Sequence, residues 1–428
     1  MSRIALSAPL TKAADLVMPG DKSISHRIVM LSAIARGQTE IRGLNGGDDV
    51  GRTIRALQAV GASIRSAGKA LVVSGAAELR DPAGAIDCGN SGTTMRLLMG
   101  LLAGRIRGTL DGDASLRRRP MDRVALPLRR MGADIETGAA GRPPVALGGR
   151  RALRAIEFTL PVASAQLKSA VLFAALRAEG TTTVSSPVAT RDHAERMLAA
   201  MQAPIRFGGP VLSVQRGELA ALGTYAVPGD ISGAAFFLIA AAALPGFTLV
   251  VREVCVNPTR SAVIDALRAM GVKLSIRNVR VQHDEPRADI EVRGTGSLRG
   301  ISIGGAAVPA LIDELPALCA LGAVADGEFS LRNAGELRTK ESDRLATSAA
   351  LLRSFGAEVR ELDDGLTVRR GERLRAPERI STAGDHRIGM AAAALATALR
   401  QPLVIDDADC IATSFPDFAA TWSRAFAG

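Results

Sequence analysis

The chain has 428 residues, 47% of them hydrophobic and 22% charged, a globular balance that excludes a mainly disordered protein and a length beyond what one core usually supports. Its longest unbroken apolar run, 234–244, has 11 residues, well short of the roughly 20 that span a bilayer as a helix. Lys and Arg outnumber Asp and Glu by 53 to 43, giving +10; with aromatics at only 3% the stacking platforms of single-strand binders are largely missing, and a small anionic ligand fits the surplus better than a polynucleotide.

The opening MSRIALSAPLTK lacks the apolar stretch of roughly 7–15 residues that marks a secretory signal, so a cytoplasmic location is expected. Cys88, Cys255, Cys319 and Cys410 never form a CxxC pair, and the four histidines are scattered. Reduced, buried thiols and no metal site are expected.

Taken in chain order, a first strand at RIALSAPL precedes six segments of one form, each a small polar residue followed by an Ala/Leu-rich run of helical length. They read GDKSISHRIVMLSAIARG, CGNSGTTMRLLMGLLAG, ASAQLKSAVLFAALRAEG, GDISGAAFFLIAAAALPG, IDELPALCALGAVADG and GDHRIGMAAAALATALR. Their anchors, Asp21, Asn90, Ser164, Asp230, Asp313 and Asp385, are spaced by 69, 74, 66, 83 and 72 residues. Glycine closes the first five helices at Gly37, Gly104, Gly180, Gly246 and Gly327. A cap in front and a glycine behind is the punctuation of a helix.

A β-prone run follows each helix: TEIRGL, GTLDGD, TTTVSSP, FTLVVREV, EFSLRNA and PLVIDDA. A second helix then ends near a glycine in ALQAVGASI, PLRRMGADI, DALRAMGVKL and LLRSFGAEV, with MLAAMQAPI keeping Ala203 at that place. Six such repeats make two domains of three: 19–228, and 229–428 completed by the N-terminal strand in 1–18. Two chain crossings, near Pro19 and Pro228, predict a hinge that closes over a ligand.

The first helix of each repeat is apolar on nearly all faces, which predicts burial. Its N-terminus carries unpaired N–H groups and about half a positive charge, suited to anions. Asp230 reads as a cap alone. The other anchors gather Lys22, Ser23, Arg27, Asn90, Ser164, Gln166, Asp313, Asp385, His386 and Arg387 at equivalent places, and RTKESDRL adds Lys340, Glu341, Asp343 and Arg344. The spacing of GASIRSAGKA is not that of a P-loop, and GTGSLRG opens no helix.

The motifs PGDKSISHR, GNSGTTMRLL, RRRPM, SAQLKS, TRDHAERM, IDELP, TKESDRL, DHRIGM and TSFPDF stand in the order found in the 5-enolpyruvylshikimate-3-phosphate synthase family, and the chain resembles its class II bacterial branch over nearly its whole length. The resemblance implies a two-domain inside-out α/β barrel of six βαβαββ repeats, a monomer, and no cofactor. It implies transfer of the enolpyruvyl group of phosphoenolpyruvate to the 5-hydroxyl of shikimate 3-phosphate, on the way to aromatic amino acids. The partners are then small anionic substrates, with neither nucleic acid nor membrane.

Site residues follow from the matched motifs. Asp313 resembles the base at the 5-hydroxyl, Glu341 the acid and later base at the methyl carbon, and Lys22 the group that assists phosphate departure. Lys22, Ser23, Arg27, Ser164, Gln166, Arg191, Asp313 and Lys340 match positions that hold shikimate 3-phosphate. Lys22, Asn90, Gly92, Arg119, Gln166, Arg344 and Arg387 match those that hold phosphoenolpyruvate, where the arginine fork suits carboxylate and phosphate. His386 orients Arg387. Two departures stand out: CIATSFPDF lacks the lysine that many members carry before the Thr/Ser-Phe-Pro motif, and Glu336 replaces an asparagine, so no role is carried onto it.

Two other readings compete. The sister enzyme acting on UDP-N-acetylglucosamine uses a reactive cysteine in a mobile loop, whereas the first half has only Cys88, just before GNSG. A basic RNA-end-processing protein of related repeats predicts a nucleotide-attacking histidine and a salt-dependent grip on RNA. A filter-binding assay at physiological salt is expected to show no retention of RNA; retention that falls steeply with added salt would favour the RNA reading.

Overall fold

The computed structural model describes residues 2–75, 78–209 and 211–427. The six anchored segments form the helices Lys22–Ser32, Gly92–Leu102, Ala165–Ala175, Ile231–Ala243, Leu315–Gly322 and His386–Ala398. Burial runs around nearly the whole circumference of each, as their apolar composition requires. The strands are different. Gln38–Arg42 and Thr181–Ser185, for example, turn alternate residues inward and outward, with one face toward the helices and the other toward water. Helices fill the interior and sheets form the outside, the arrangement of an inside-out α/β barrel.

The chain divides into two compact domains, one of residues 20–227 with 282–285, the other of 1–19, 228–281 and 286–428. The first domain has three four-stranded sheets. In spatial order they are Gly223–Ala226, Gln38–Arg42, Ala70–Ser74 and Ser63–Ala67; Ile86–Asp87, Arg107–Asp111, Arg142–Gly148 and Ile135–Gly138; and Glu157–Thr159, Thr181–Ser185, Val211–Gln215 and Ile205–Arg206. In each, a parallel pair leads and two antiparallel pairings follow. That is the βαβαββ repeat.

In the second domain the sheets are Lys273–Gln282, Glu285–Arg293, Thr248–Cys255 and Ala13–Val17; Ser302–Ile303, Glu328–Leu331, Gly365–Arg369 and Glu358–Leu362; and a three-stranded sheet of Ile4–Leu6, Leu403–Asp406 and Arg379–Ser381. The last repeat is abbreviated. After Leu403–Asp406 come the 3-10 turn Ala408–Thr413 and the short helix Phe418–Trp422, and Ile4–Leu6 pairs antiparallel to Leu403–Asp406. An aromatic cluster fills this end, with Phe237 lying 4.6 to 6.2 Å, centroid to centroid, from Phe415, Phe418, Trp422 and Phe426.

Two pairings depart from the order of the chain. Ala13–Val17 leads into the helix Lys22–Ser32 but pairs in parallel with Thr248–Cys255. Gly223–Ala226 leads into Ile231–Ala243 but pairs in parallel with Gln38–Arg42. The two strands exchange sheets. Cys88, Cys255 and Cys319 are buried and Cys410 is half-buried. Among the described residues, no helix is long and apolar enough to cross a membrane.

Within the first domain the helices Gly92–Leu102 and Ala165–Ala175 lie backbone to backbone. A Cβ on Gly100 would stand 2.1 Å from the carbonyl oxygen of Ala170 and 2.6 Å from its Cα. Neither is the end of a flexible side chain, so the helices must separate to admit a methyl group. Gly100→Ala is expected to cost about 1–3 kcal/mol, as overpacking does, read as a lower urea midpoint. Gly84→Ala, where nothing lies within 4 Å, should change stability by no more than about 0.5 kcal/mol.

Candidate active site

In each domain charged side chains gather near the N-terminal ends of the buried helices. In the first domain, Asp21 caps its helix by accepting from the Ile24 N–H at 2.9 Å. Lys22 follows, and its Nζ donates to Asp49 Oδ2 at 2.8 Å. Arg27, one turn on, donates to the Ser23 carbonyl and to Ser169 Oγ, both at 2.9 Å. Burial draws the Arg27 guanidinium down to about 10, and neighbouring Arg191 acts in the same direction while Glu195 and Asp21 oppose it. His26 shares a 2.7 Å hydrogen bond with Thr53 Oγ1. Burial, with Lys22 and Arg27 nearby, holds its imidazole well below the usual range, so it is neutral.

A second group in the same domain is organised by Arg96. Its NH1 donates to Gln166 Oε1 at 2.8 Å, and Gln166 Nε2 donates to Thr93 Oγ1 at 2.9 Å. Arg119 NH2 donates to Asn90 Oδ1, while Asn90 Nδ2 donates to Asp113 Oδ2 at 2.8 Å. Gly92 stands between the arginines: a Cβ there would lie 2.9 Å from Arg96 NH1 and 3.3 Å from Arg119 NH1. Gly92 is the first residue of its helix, and a methyl group there would displace the ends of these two guanidiniums. Ser164 caps its helix through the Leu167 N–H at 3.3 Å.

The second domain builds its cluster on Arg344, which is 1% exposed. Its Nε donates to Asp385 Oδ2 at 2.8 Å, NH2 to Glu341 Oε2 at 2.5 Å and NH1 to Asp313 Oδ1 at 3.4 Å. Three carboxylates thus surround one guanidinium, whose charge they stabilise against the cost of burial. Arg387 lies on the other side of Asp313, with Nε 3.3 Å from Oδ1 and NH1 donating to the Asp313 carbonyl at 2.8 Å. Asp385 also caps its helix through the Arg387 N–H at 2.9 Å. Burial pushes the Asp385 carboxyl up, but Arg344 outweighs this and holds it below the ordinary carboxylate range.

The sequence-derived residues therefore fall into defined groups. Gln166 bonds Arg96 and Asn90 bonds Arg119, with Gly92 beside both arginines; Arg27 bonds the Ser23 carbonyl and has Arg191 nearby; Asp313, Glu341, Arg344 and Arg387 form one network. Lys340 instead donates to Glu336 at 3.3 Å, which gives Glu336 a structural partner. Burial pulls the Lys340 ammonium below the usual amine range, with Glu336 and Asp313 opposing. His386 is buried, its Nδ1 4.0 Å from Asp385 Oδ1. Ala412 lies on the turn Ala408–Thr413.

Two anchors read as caps do not cap. Ser91, not Asn90, accepts from the first turn of its helix. Glu314 holds the N-cap position before Leu315–Gly322 without a side-chain bond to it, which leaves Asp313 for the arginines. Sequence reading also missed Arg96 and Asp49. Arg96 was accessible from the helical i,i+4 spacing to Gly92; Asp49 lies 27 residues from Lys22 and carries no local signal. Cys88 sits just beyond the strand Ile86–Asp87, where burial pushes its thiol up, against a reactive role.

Residues 8–422 match the family described as EPSP synthase (3-phosphoshikimate 1-carboxyvinyltransferase). A relative named 3-phosphoshikimate 1-carboxyvinyltransferase, from Anaeromyxobacter sp. (strain Fw109-5), is 49% identical over 407 residues, covering 94% of each chain. The solved EPSP synthase of Acinetobacter baumannii superimposes with a TM-score of 0.86 at 40% identity, over 99% of this chain and 98% of that one. The enolpyruvyl transferase NikO from Streptomyces tendae shares the fold, with a TM-score of 0.75 at 18% identity, over 99% of this chain and 96% of that one.

The buried Asp385–Arg344 pair makes a pH-dependent prediction. A carboxyl held below its unfolded value contributes stability that is present above about pH 4 and lost as pH falls through the depressed folded value. Asp385→Asn is expected to cost about 3–5 kcal/mol at pH 7, the scale for stranding one partner of a buried pair. In urea titrations the gap between variant and parent should narrow as the pH drops below about 4. A constant gap would assign the loss to packing alone.

Proposed function

Because the chain belongs to the EPSP synthase (3-phosphoshikimate 1-carboxyvinyltransferase) family, we propose that its two charged clusters serve one reaction. The enolpyruvyl group of phosphoenolpyruvate passes to the 5-hydroxyl of shikimate 3-phosphate, and phosphate leaves. The observation that carries the reading is the pair Asp313 and Glu341, two carboxylates on the single buried guanidinium of Arg344. The reaction needs a base and an acid close together, and a cation shared by both carboxylates keeps them in one place.

Protonation of the methylene carbon of phosphoenolpyruvate makes it a methyl group and gives the neighbouring carbon positive character. Glu341 supplies that proton. The 5-hydroxyl attacks the electron-poor carbon as Asp313 takes its proton, forming a tetrahedral adduct. The carbon–oxygen bond to phosphate then breaks, and Glu341 removes a proton from the methyl group to restore the double bond. Lys22 stabilises the departing phosphate. With Ala412 in place of a lysine, that task falls to Lys22 and the arginines.

Binding roles follow the groups in each domain. Ser23, Arg27, Ser164, Gln166 and Arg191, with Lys22, Asp313 and Lys340, receive shikimate 3-phosphate. Asn90, Gly92, Arg119, Arg344 and Arg387, with Lys22 and Gln166, receive phosphoenolpyruvate. Arginines paired with carboxylates or amides beforehand are pre-oriented, and an incoming anion exchanges one acceptor for another. The neutral state of His26 keeps one further charge away from Lys22 and Arg27.

Phosphate release measured with each substrate omitted in turn tests the reaction itself: release should require both phosphoenolpyruvate and shikimate 3-phosphate. Asp313→Ala and Glu341→Gln should each lower kcat at least about 100-fold, the scale of a lost acid–base group. Shikimate 3-phosphate should still bind nearly normally to Glu341→Gln by calorimetry. Near-full turnover in either variant removes that residue from the mechanism.

A further inference from the structure

Behind the Arg27 and Arg191 set lies a buried ion pair that the reaction does not use. Lys168 and Glu195 are 5% and 2% exposed, and Lys168 Nζ forms a salt bridge with a Glu195 carboxylate oxygen. Lys168 sits on the helix Ala165–Ala175, two residues after Gln166 and one before Ser169, the acceptor for Arg27 NH2. Glu195 lies in the first turn of the helix His193–Ala200. The Lys168 ammonium also donates to the Thr190 carbonyl at 3.4 Å, and Thr190 is followed directly by Arg191.

Stability does not explain the pair. Taking both charges out of water costs several kcal/mol, and apolar residues of similar volume commonly serve a core as well or better. Burial pushes the Glu195 carboxyl up, against the pull of Lys168, so the ion pair exists at the expense of desolvation. What the pair does accomplish is geometric. It ties together the helix that carries Ser169, the helix that follows Arg191, and the backbone of the residue just before Arg191. His193 Nδ1 and Glu285 Oε2, 3.1 Å apart and both buried, hold the start of the same helix.

Arg27 and Arg191 repel each other, so keeping both close to one anion depends on how the elements that carry them are tied together. We infer that Lys168 and Glu195 are positioning residues that hold Arg191 beside Arg27 at the spacing a phosphate monoester dianion needs, and thereby set the preference for a phosphorylated acceptor. The inference rests on the proposed reaction: the phosphate in question is that of shikimate 3-phosphate. Two guanidiniums at fixed separation receive several phosphate oxygens in charge-assisted hydrogen bonds. At a wrong separation one of them contributes only a distant charge.

The test separates positioning from stability. The double variant Lys168→Met/Glu195→Leu removes both charges and keeps the volume, and should fold with a melting temperature close to the parent's. Its KM for shikimate 3-phosphate should rise at least about 10-fold, the effect of one lost tenfold factor in binding. Its KM for phosphoenolpyruvate, at saturating acceptor, should stay within about twofold, with kcat similarly preserved. Lys168→Arg keeps the charge but brings a planar fork to Thr190 in place of an ammonium, and should show a smaller rise in the same constant alone. An unchanged KM for shikimate 3-phosphate in either folded variant overturns the inference, as does an equal rise in both substrate constants. Should the double variant not fold, Lys168→Arg decides by the same criterion. If the parent enzyme itself releases no phosphate from the two substrates, the proposed reaction fails instead.

Discussion

A helix buried on every side must still satisfy the N–H groups of its first turn, and that requirement organises this protein. Six such helices make the interior, and each delivers its unpaired donors and the positive end of its dipole to a place that water does not freely reach. Asp21, Ser91, Ser164, Asp230 and Asp385 meet the demand with side-chain oxygens. A polar residue at these starts is therefore a condition of folding. The functional question is which of the polar residues nearby exceed that condition.

Asn90 and Asp313 are the informative cases. Both occupy the repeat position of a cap, yet neither supplies one, and both bond to arginines. Their side-chain oxygens accept from guanidiniums in place of the first turn of a helix. Asp230, by contrast, caps its helix and meets Arg260, which in turn is bound to buried Glu314. The same repeat position serves as a helix cap in one copy and as an arginine partner in another.

Electrostatic preorganisation runs through both domains. Arg344 carries three carboxylates, Arg119 an amide, Lys22 an aspartate. Each cation is held at its post by a paired acceptor, so its orientation is fixed before any ligand arrives. Burial strengthens these interactions and penalises any charge left alone. This explains why the acids and bases of the site arrive as networks, and why Lys168 and Glu195 occur together.

The sequence by itself determined the helices, the strands that follow them, the repeat and the charged residues at the helix starts, because caps, closing glycines and apolar periodicity are local features written within about 15 residues. Lys22, Arg27, Glu341 and Arg344 were legible for the same reason: charge at the buried start of a helix is conspicuous in the chain. The sequence placed an N-terminal strand in the second domain, but tertiary structure alone decided that Ala13–Val17 joins Thr248–Cys255 while Ile4–Leu6 joins Leu403–Asp406, and that Gly223–Ala226 returns to Gln38–Arg42, since a short β-strand can join either edge and no local pattern distinguishes them. Tertiary structure also decided the partners Asp49 for Lys22, Gln166 for Arg96 and Glu195 for Lys168. Those pairs join separate elements, and a charge states what kind of partner it requires but not which segment of the chain will bring it.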